Sequence, residues 1–482
     1  MSAMGRGGSG SLPRHPTDAA YTSRPLSMHA QSTGPGQCDR CRSGLPLTSS
    51  AGAMTHWIRE HMLATIVLTV VATLAAVIIF TNLTGSEKRV QRVVQHRYGV
   101  SDPQFRREMG VMLGPTVVPG NRIVHLRDGD QIFPAMLHAI DNARETITFE
   151  TYIYWSGDIG RKFSDALARR ARAGVQVKVT LDWLGSNKMD DAIIEQMKQA
   201  GVHVERYRPL SWYSLDRINH RTHRKILVID GHTAFTGGVG IADQWLGHGQ
   251  DPEHWRDSHF RIEGPAAAQM QAAFSDNWIK MTGHVLNGAP YYPAIDRHGD
   301  MDAQVFVSSP SGGSESMHLM YLLSIAAATQ SIDLAAAYFV PDQLTLRALI
   351  QARDRGVRVR ILVPGPHIDS DAVRLASKAQ WGVLLGRGVE IWEYQPTMMH
   401  VKLMVIDTHL VSVGSTNFDA RSFQLNDEAS LNVYDPAFAR EMTEVFEDDL
   451  AHSTSYTLEQ WTRRPWKEKM LEKFVVPLRS QL

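Results

Sequence analysis

The sequence predicts an α/β protein in which a membrane-spanning helix precedes two tandem repeats. The chain has 482 residues, which is too long for one ordinary domain. Its larger part repeats one order of strands and helices, and a long apolar segment without charges precedes the repeats. Fifty basic and fifty acidic residues cancel, so no overall basic field attracts nucleic acid and no nucleic-acid partner is expected.

Residues 1–53 are rich in Gly, Ser, Pro and Thr and show no apolar periodicity, so we expect a disordered tail. The two cysteines of the chain, Cys38 and Cys41, lie in this tail. Their number excludes a scaffold held by several disulfides and leaves no second pair to complete a zinc site. Met54 follows the tail and is an alternative to Met1 as the start of translation.

A transmembrane anchor is predicted over residues 54–84. Nineteen residues from Met62 to Phe80 carry no charge, close to the ~20 that cross a bilayer as a helix. The run exceeds the apolar part of a signal peptide and lacks a cleavage site, so we expect a single-pass inner-membrane protein, with a buried core helix as the alternative. The positive-inside rule favours a cytoplasmic catalytic part, because more basic residues follow the run (Lys88, Arg89, Arg92, Arg97) than precede it (Arg40, Arg42, Arg59).

The remaining chain is predicted to contain a juxtamembrane linker (85–120), a first domain (121–286), a linker (287–314) and a second domain (315–482). Each domain contains a β-forming run, TITFETYIYW (146–155) or SIDLAAAYFV (331–340). A helical pattern, a glycine and a second β-forming run follow, VQVKVTLDW or VRVRILVPG. Strands that alternate with helices predict an α/β fold with a parallel or mixed sheet in each half.

Each repeat contains His-x-Lys, four apolar residues and Asp, as HRKILVID (223–230) and HVKLMVID (400–407). Residues two apart on a strand share a face, so the His and Lys of each motif project together. Two such strand ends suit attack on a phosphodiester: the lysines bind non-bridging oxygens, one imidazole attacks phosphorus and the other protonates the leaving oxygen. The residues assigned to catalysis are His223, Lys225, Asp230, His400, Lys402 and Asp407.

This chemistry predicts that the two motifs meet across a pseudo-twofold axis, with one histidine neutral and the other cationic. No metal or other cofactor is expected, since two ammonium groups offset the charge of the phosphate. Asp230 and Asp407 have a second interpretation, because an Asp that begins a tight turn usually stabilises the backbone.

A two-residue hairpin loop is predicted after each motif strand, and it fixes the strand register. This register places Ser415 opposite Lys402 and Asn417 opposite the histidine of the second copy. In the first copy glycines take both places, Gly238 and Gly240. We therefore expect Gly238, Ser415 and Asn417 to bind the substrate phosphate.

An attacking imidazole needs an acceptor for its second nitrogen. Two carboxylates are candidate orienting acids: Glu428, 28 residues after His400, and Asp257, 34 residues after His223. The alternative for each is a surface carboxylate at the edge of a strand, without a role in the site.

These motifs resemble the phospholipase D superfamily. Its signature is His-x-Lys, four residues, Asp, six residues, and then Gly, Ser or Gly, any residue, and Asn. The second copy matches it fully through GSTN (414–417), and the likeness covers roughly residues 120–482. Within the superfamily, NHRTHRKILVIDG, WRDSHFRIEGPA and NFDARSFQLNDEASL are similar to bacterial cardiolipin synthases. The resemblance implies two phospholipase D-like α/β sandwich repeats, a phosphohistidine intermediate on His223, and His400 as general acid and then base.

The implied activity is a phosphatidyltransferase that joins two phosphatidylglycerols and releases glycerol, with a phospholipid as substrate and the bilayer as partner. Two features depart from the family pattern: Gly240 replaces the usual Asn, and one span is evident where many members have two. A phospholipase D hydrolase, a phosphodiesterase or nuclease, and a non-catalytic membrane scaffold are the alternatives.

The last stretch, residues 466–482, mixes cations with apolar residues and is an amphipathic segment. It either lies on anionic headgroups or packs on the protein. Four aromatic residues are candidates for a lipid entrance or for the core: Tyr152, Tyr338, Trp212 and Tyr213.

Overall fold

The computed structural model describes residues 50–83, 90–209, 219–309 and 315–481. The tail predicted over 1–53 lies almost wholly outside these residues, as do both cysteines, Trp212 and Tyr213. Two compact units divide the chain, residues 1–69 and 70–482.

The apolar segment forms one helix, α1 (Ser50–Leu83). Its stretch Arg59–Phe80 has a mean hydropathy of 2.8, and its most apolar window has no buried residue. The hydroxyls of Thr65 and Thr69 donate to carbonyls four residues earlier, so neither is left unpaired on an apolar surface. Within the described ranges, α1 is the helix whose length and composition suit a membrane span.

In the part of the chain after α1 that the structure describes, helices alternate with strands. The helices are α2 (Pro103–Leu113), α3 (Asp128–Asp141), α4 (Asp158–Arg172), α5 (Asp191–Gln199), α6 (Ala266–Thr282), α7 (Glu315–Ala327), α8 (Gln343–Asp354), α9 (Asp371–Leu385), α10 (Ala420–Gln424), α11 (Pro436–Ala451), α12 (Leu458–Arg463) and α13 (Trp466–Val475). The strands are β1 (Val118–Arg127), β2 (Thr146–Thr151), β3 (Gln176–Asp182), β4 (His203–Tyr207), β5 (Ile226–Ile229), β6 (Thr233–Gly237), β7 (Ser258–Glu263), β8 (Met301–Ser308), β9 (Ser331–Ala336), β10 (Phe339–Val340), β11 (Arg358–Pro364), β12 (Glu390–Tyr394), β13 (Lys402–Ile406), β14 (Leu410–Gly414), β15 (Phe418–Asp419), β16 (Glu428–Tyr434) and β17 (Ser453–Tyr456).

The main sheet has the same strand order on both sides of its centre. From β1 outward the order is β7, β6, β5, β2, β3 and β4; from β8 outward it is β16, β14, β13, β9, β11 and β12, with β17 at the edge. β1 and β8 pair antiparallel at the centre. In each half the three strands β2, β3, β4 or β9, β11, β12 run parallel and the others pair antiparallel. This mirrored order is that of two repeats about a pseudo-twofold axis and confirms the predicted α/β fold with mixed sheets.

The sheet is covered by helices on both faces. In β5, Leu227 and Ile229 pack with residues of α3 and α4, whereas Ile226 and Val228 pack with α6 on the opposite face. Side chains of a strand alternate between faces, so a strand covered on both sides is continuously apolar. The cluster around α6 and α11 contains strand residues of both halves, and the two halves therefore share a hydrophobic core.

The predicted hairpin register is wrong by one residue. In the second copy Ile406 pairs with Leu410, so the loop has three residues instead of two, and the first copy pairs in the same way. The reason is the Asp that begins each loop. Asp230 and Asp407 adopt left-handed backbone, with φ of 50° and 52°, and so belong to the turn instead of the strand.

The linkers predicted from composition contain structured elements. Strand β8 lies within residues 287–314 and pairs with both β1 and β16. Helix α2 and the start of β1 lie within residues 85–120. The Pro and Gly residues that suggested a linker flank β8, and the strand itself completes the centre of the sheet.

Candidate active site

The two His-x-Lys motifs meet at one cavity. Lys225 directly precedes β5 and His223 lies two residues earlier; Lys402 is the first residue of β13, and His400 lies two residues before it. A cavity of about 290 Å³ is lined by both histidines, by Lys225 and by Asn417. The structure thus brings an imidazole from each half to one space, as the two-histidine hypothesis requires.

Backbone hydrogen bonds between the halves position both motifs. The amide of His223 donates to the carbonyl of Asp427 at 2.8 Å, and the amide of His400 donates to the carbonyl of Arg256 at 2.7 Å. Each accepting residue immediately precedes one of the two candidate acids. The same contact therefore places a histidine and the acid of the opposite half side by side.

Each histidine is bound by the carboxylate of the other half. Nδ1 of His223 lies 3.0 Å from both oxygens of Glu428, and Nδ1 of His400 lies 2.8 Å from Oδ2 of Asp257. A carboxylate that accepts the Nδ1 proton leaves Nε2 as the basic nitrogen of a neutral ring. Both acids were proposed from the sequence. Their spacing along the chain does not reveal that each acid binds the histidine of the other half.

Different donors hold the two carboxylates. Oγ of Ser415 donates to Glu428 at 2.5 Å, whereas Nε1 of Trp245 donates to Asp257 at 2.9 Å. Gly238 stands where the second half has Ser415, and a Cβ at Gly238 would lie 2.1 Å from Oδ1 of Asp257. Gly238 and Ser415 therefore position the acids, and the structure does not bring them to the cavity wall where a phosphate contact was expected.

Asn417 does line the cavity, and its Oδ1 is buried without a hydrogen-bond partner among the described residues. An unpaired buried polar atom costs free energy, so a ligand that pairs with it gains affinity. At the corresponding position of the first half, a Cβ on Gly240 would lie 2.8 Å from Cβ of Ile153. The first half therefore has no room for the amide that the second half supplies.

Both lysines are buried and bend back to their own histidine. Nζ of Lys225 donates to the carbonyl of His223 at 3.0 Å. Nζ of Lys402 donates to the carbonyl of His400 at 2.8 Å and lies 3.0 Å from Nε2 of that ring. Burial lowers the pKa of Lys225 to about 7 and that of Lys402 to about 8. A bound anion stabilises the charged form of both lysines, and each ammonium group in turn strengthens the binding of the anion.

Burial also lowers the pKa of both imidazoles. The pKa of His223 falls to about 4, because desolvation, together with the charge of Lys225, outweighs the attraction of Glu428. The pKa of His400 falls well below its ordinary value through burial and then through the charges of Lys402 and Lys225. A neutral His223 is suited to attack phosphorus. A cationic His400 requires added negative charge, such as that of a bound phosphodiester, so the expected pair of one neutral and one cationic ring depends on the substrate.

Asp230 and Asp407 lie at the far ends of their strands from the histidines. The carboxylate of Asp230 accepts hydrogen bonds from the amides of residues 144–146, and that of Asp407 accepts them from residues 329–331. Each Asp therefore fastens its hairpin to the start of the neighbouring strand, β2 or β9. The structure does not bring either residue to the cavity, and their role is structural.

Four charged residues on the cavity wall were missed from the sequence: Arg221, Asp369, Asp419 and Arg421. Burial raises the pKa of Asp369, and it raises that of Asp419 to about 7. A signal existed for three of them, since Arg221 lies two residues before a motif histidine and the other two lie in the NFDARSF segment. Asp369 follows β11 and had no motif to mark it.

Two of the four aromatic candidates line the cavity, Tyr152 and Tyr338. The ring of Tyr152 packs edge-on against the imidazole of His223 at 5.2 Å between centroids. The hydroxyl of Tyr338 donates to Asp369 at 2.8 Å. Both rings are therefore part of the site, and each restricts the position of a polar neighbour.

Cationic side chains supply the positive charge at this cavity: Lys225, Arg221 and Arg421 on its wall and Lys402 beside His400. Among the described residues, no group of three or more His, Cys, Asp or Glu is placed to hold a metal ion. The arrangement can bind a phosphodiester and provide a nucleophile on one side and a proton donor on the other.

Comparison with solved structures supports the fold. The phosphatidylserine synthase of Haemophilus influenzae Rd KW20 superimposes with a TM-score of 0.56 at 14% sequence identity. The match covers 75% of this chain and 95% of that protein. At this identity the likeness concerns the fold alone.

Comparison with protein sequences identifies the family. The family model described as cardiolipin synthase, PLD-like domain, matches residues 136–278 and 321–450. Cardiolipin synthase 1 of Bacillus anthracis is 35% identical over 360 residues, covering 73% of this chain and 70% of the relative. The major cardiolipin synthase of Bacillus subtilis strain 168 is 34% identical over 348 residues, covering 72% of each chain. With these matches and paired His-x-Lys motifs at one cavity, the chain belongs to the cardiolipin synthase family of phospholipase D-like proteins.

Proposed function

We propose that this protein is a membrane-anchored phosphatidyltransferase of the cardiolipin synthase type. It transfers the phosphatidyl group of one phosphatidylglycerol to the glycerol hydroxyl of a second one and releases glycerol. The observation that carries the proposal is the crossed arrangement at the cavity, in which each imidazole is held by the acid of the opposite half. Membership of the family supports the lipid substrate.

In the first step, Nε2 of His223 attacks phosphorus, because Glu428 holds the Nδ1 proton and leaves Nε2 basic. The new P–N bond forms as the bond from phosphorus to the glycerol oxygen breaks. The proton on His400 moves to that oxygen, and glycerol leaves. The product is a phosphatidyl group linked covalently to His223.

In the second step, the hydroxyl of another phosphatidylglycerol attacks the same phosphorus. His400 takes the hydroxyl proton, the P–N bond breaks and cardiolipin leaves. His400 is cationic again at the end, so the cycle needs no net proton from solvent. Nζ of Lys402, 3.0 Å from Nε2 of His400, favours the neutral form that accepts this proton.

The positive-inside pattern and α1 support insertion as a single-pass protein of the inner membrane with the catalytic part in the cytoplasm. Such an anchor keeps the site near its substrate and raises the effective concentration of lipid. An accessibility assay on intact spheroplasts tests the orientation: protease added outside should leave the part after α1 intact.

The direct test is incubation of the purified full chain in phosphatidylglycerol vesicles, with products followed by mass spectrometry. We expect cardiolipin and free glycerol in equal amounts. Phosphatidic acid as the main product would identify a hydrolase, cleavage of DNA without lipid turnover a nuclease, and no turnover a scaffold; each of these contradicts the proposal. Quenching in base, which preserves phosphohistidine, should leave the phosphatidyl adduct on the peptide that contains His223.

A further inference from the structure

The C-terminal helix α13 exposes an apolar stripe. Trp466, Met470 and Phe474, spaced four residues apart, have exposed fractions of 67%, 46% and 70%, and Leu471 beside them has 49%. Residues four apart lie on one side of a helix, so these side chains form a continuous surface. A contiguous exposed apolar surface of this kind marks an interaction site.

The charged residues of α13 are sorted between its two sides. Glu472 is buried, and its two oxygens accept hydrogen bonds from Arg464 at 2.7 Å. Glu468 is half-buried and lies 3.6 Å from Nζ of Lys378. The exposed charges of α13 are the lysines that flank the apolar stripe, Lys467, Lys469 and Lys473. Both carboxylates are therefore neutralised on the protein side, and the outward side is apolar and cationic.

Helix α13 and the chain that follows it contact residues of the cavity wall. Val475 and Tyr338 both pack on a small buried cluster that contains Val340, and Tyr338 lines the cavity. The backbone carbonyl of Gln481 accepts a hydrogen bond from Arg421 at 3.1 Å, and Arg421 lines the same cavity. A surface that binds the outward side of α13 therefore lies next to the catalytic cavity.

We propose that α13 docks on an anionic bilayer, with its apolar stripe in the headgroup layer, and holds the cavity at the lipid surface. The proposal rests on the proposed function in one respect, that the cavity takes a lipid. An indole at the start of the helix, apolar residues one and two turns later and flanking lysines are the features of a helix that lies in a membrane interface. Self-association through this face would bring like charges together, which disfavours a second copy as the occupant.

The test uses the full chain with Met470→Cys in a Cys38→Ser, Cys41→Ser background and a bimane label on the new thiol. The protein is reconstituted in phosphatidylcholine vesicles containing phosphatidylserine, so the measurement needs no turnover. A nitroxide on the lipid acyl chain should lower the emission by about half or more, while iodide in the buffer should have little effect. Val285→Cys, exposed at 66% in a loop without flanking lysines, is the matched control and should show the reverse.

Quenching by iodide alone at position 470 would show that the helix faces water and would overturn the proposal. Protection from both quenchers would mean that protein covers the face, and this too would overturn it. The double variant Trp466→Ser, Phe474→Ser adds a functional measure. We expect its rate at a low surface fraction of phosphatidylglycerol to fall about tenfold, with the rate in pure phosphatidylglycerol unchanged. Failure of the proposed function would change the lipid product or abolish turnover, but it would leave the bimane result in place.

Discussion

The two halves of the site use equivalent histidines in unequal surroundings. His223 packs against Tyr152 on a cavity wall, with its acid held by a serine hydroxyl. His400 lies near two indoles, Trp245 and Trp255, at 5.4 and 5.5 Å between ring centroids, and the acid that holds it is bound by the first of them. The difference shows that a duplicated strand and motif can support two chemical roles, because the role of an imidazole is set by the residues around it.

Replacing either histidine should have the largest effect and should separate the two roles. We expect His223→Ala to abolish activity, since no atom remains to form the P–N bond. We expect His400→Ala to lower the rate with phosphatidylglycerol by about 10²–10⁴-fold through loss of general acid–base catalysis. With phosphatidyl-p-nitrophenol, whose leaving group needs no proton, His400→Ala should still give a burst of p-nitrophenol and His223→Ala should give none. Equal bursts from both variants would contradict the assigned roles.

A substitution that makes the first half resemble the second should also lower activity strongly. Gly238→Ser supplies the residue found at Ser415, but its Cβ would overlap the carboxylate of Asp257. Displacing that acid moves His400, and we expect the turnover rate to fall by about 100-fold. Circular dichroism and thermal unfolding serve as the control for folding. A well-folded variant with ordinary activity would show that Asp257 does not need this space.

Removing the charge of each acid should distinguish the crossed pairs. Glu428→Gln and Asp257→Asn should each lower activity by about 10- to 100-fold, as expected for a group that orients a functional histidine. Glu428→Gln should also slow the p-nitrophenol burst, because it acts on His223, whereas Asp257→Asn should not. Asp407→Asn is the matched control and should lower thermal stability with little effect on the burst. The opposite assignment of the burst defect would mean that each acid serves the histidine of its own half.

Acid should destabilise the folded protein through the two imidazoles. The pKa of His223 is about 4 in the folded chain and higher in the unfolded chain, so the unfolded state takes up the proton first as the pH falls. The free energy of unfolding is therefore largest above about pH 7 and falls on acidification. The part that comes from His223 is a loss of about 2 kcal/mol near pH 5. His223→Asn should remove this part of the pH dependence of Tm, and His400→Asn should remove a further part, because burial also lowers the pKa of His400. Parallel curves of Tm against pH for the unmodified protein and both variants would contradict the burial of the imidazoles in neutral form.

The fold and the histidines could be predicted because their signals are local and occur twice. A strand with His and Lys two residues apart has the same consequences wherever it lies, and repetition removes chance as an explanation. The hairpin register could not be predicted in this way, because it depends on whether Asp407 belongs to the strand or to the turn. Its left-handed backbone is stabilised by amides about 77 residues away in sequence, and no local pattern contains that contact.

Residues that act across the two halves were the least predictable. Glu428 and Asp257 could be identified as acids near the motifs, but their partners could not, since the bond joins residues 205 and 143 positions apart. Ser415 and Gly238 were expected at the phosphate because the assumed hairpin register placed them opposite the motif lysines, yet their neighbours in space are these acids. Asp369 carries no motif and reaches the cavity only through the fold.

The crossed hydrogen bonds also order the appearance of activity during synthesis. When the ribosome has just added His223, the carboxylate that fixes its tautomer is still 205 residues from being made. A nascent or truncated chain that ends before Glu428 contains His223 but lacks the carboxylate that positions its imidazole. Such a fragment therefore has no nucleophile held for attack on a phosphodiester.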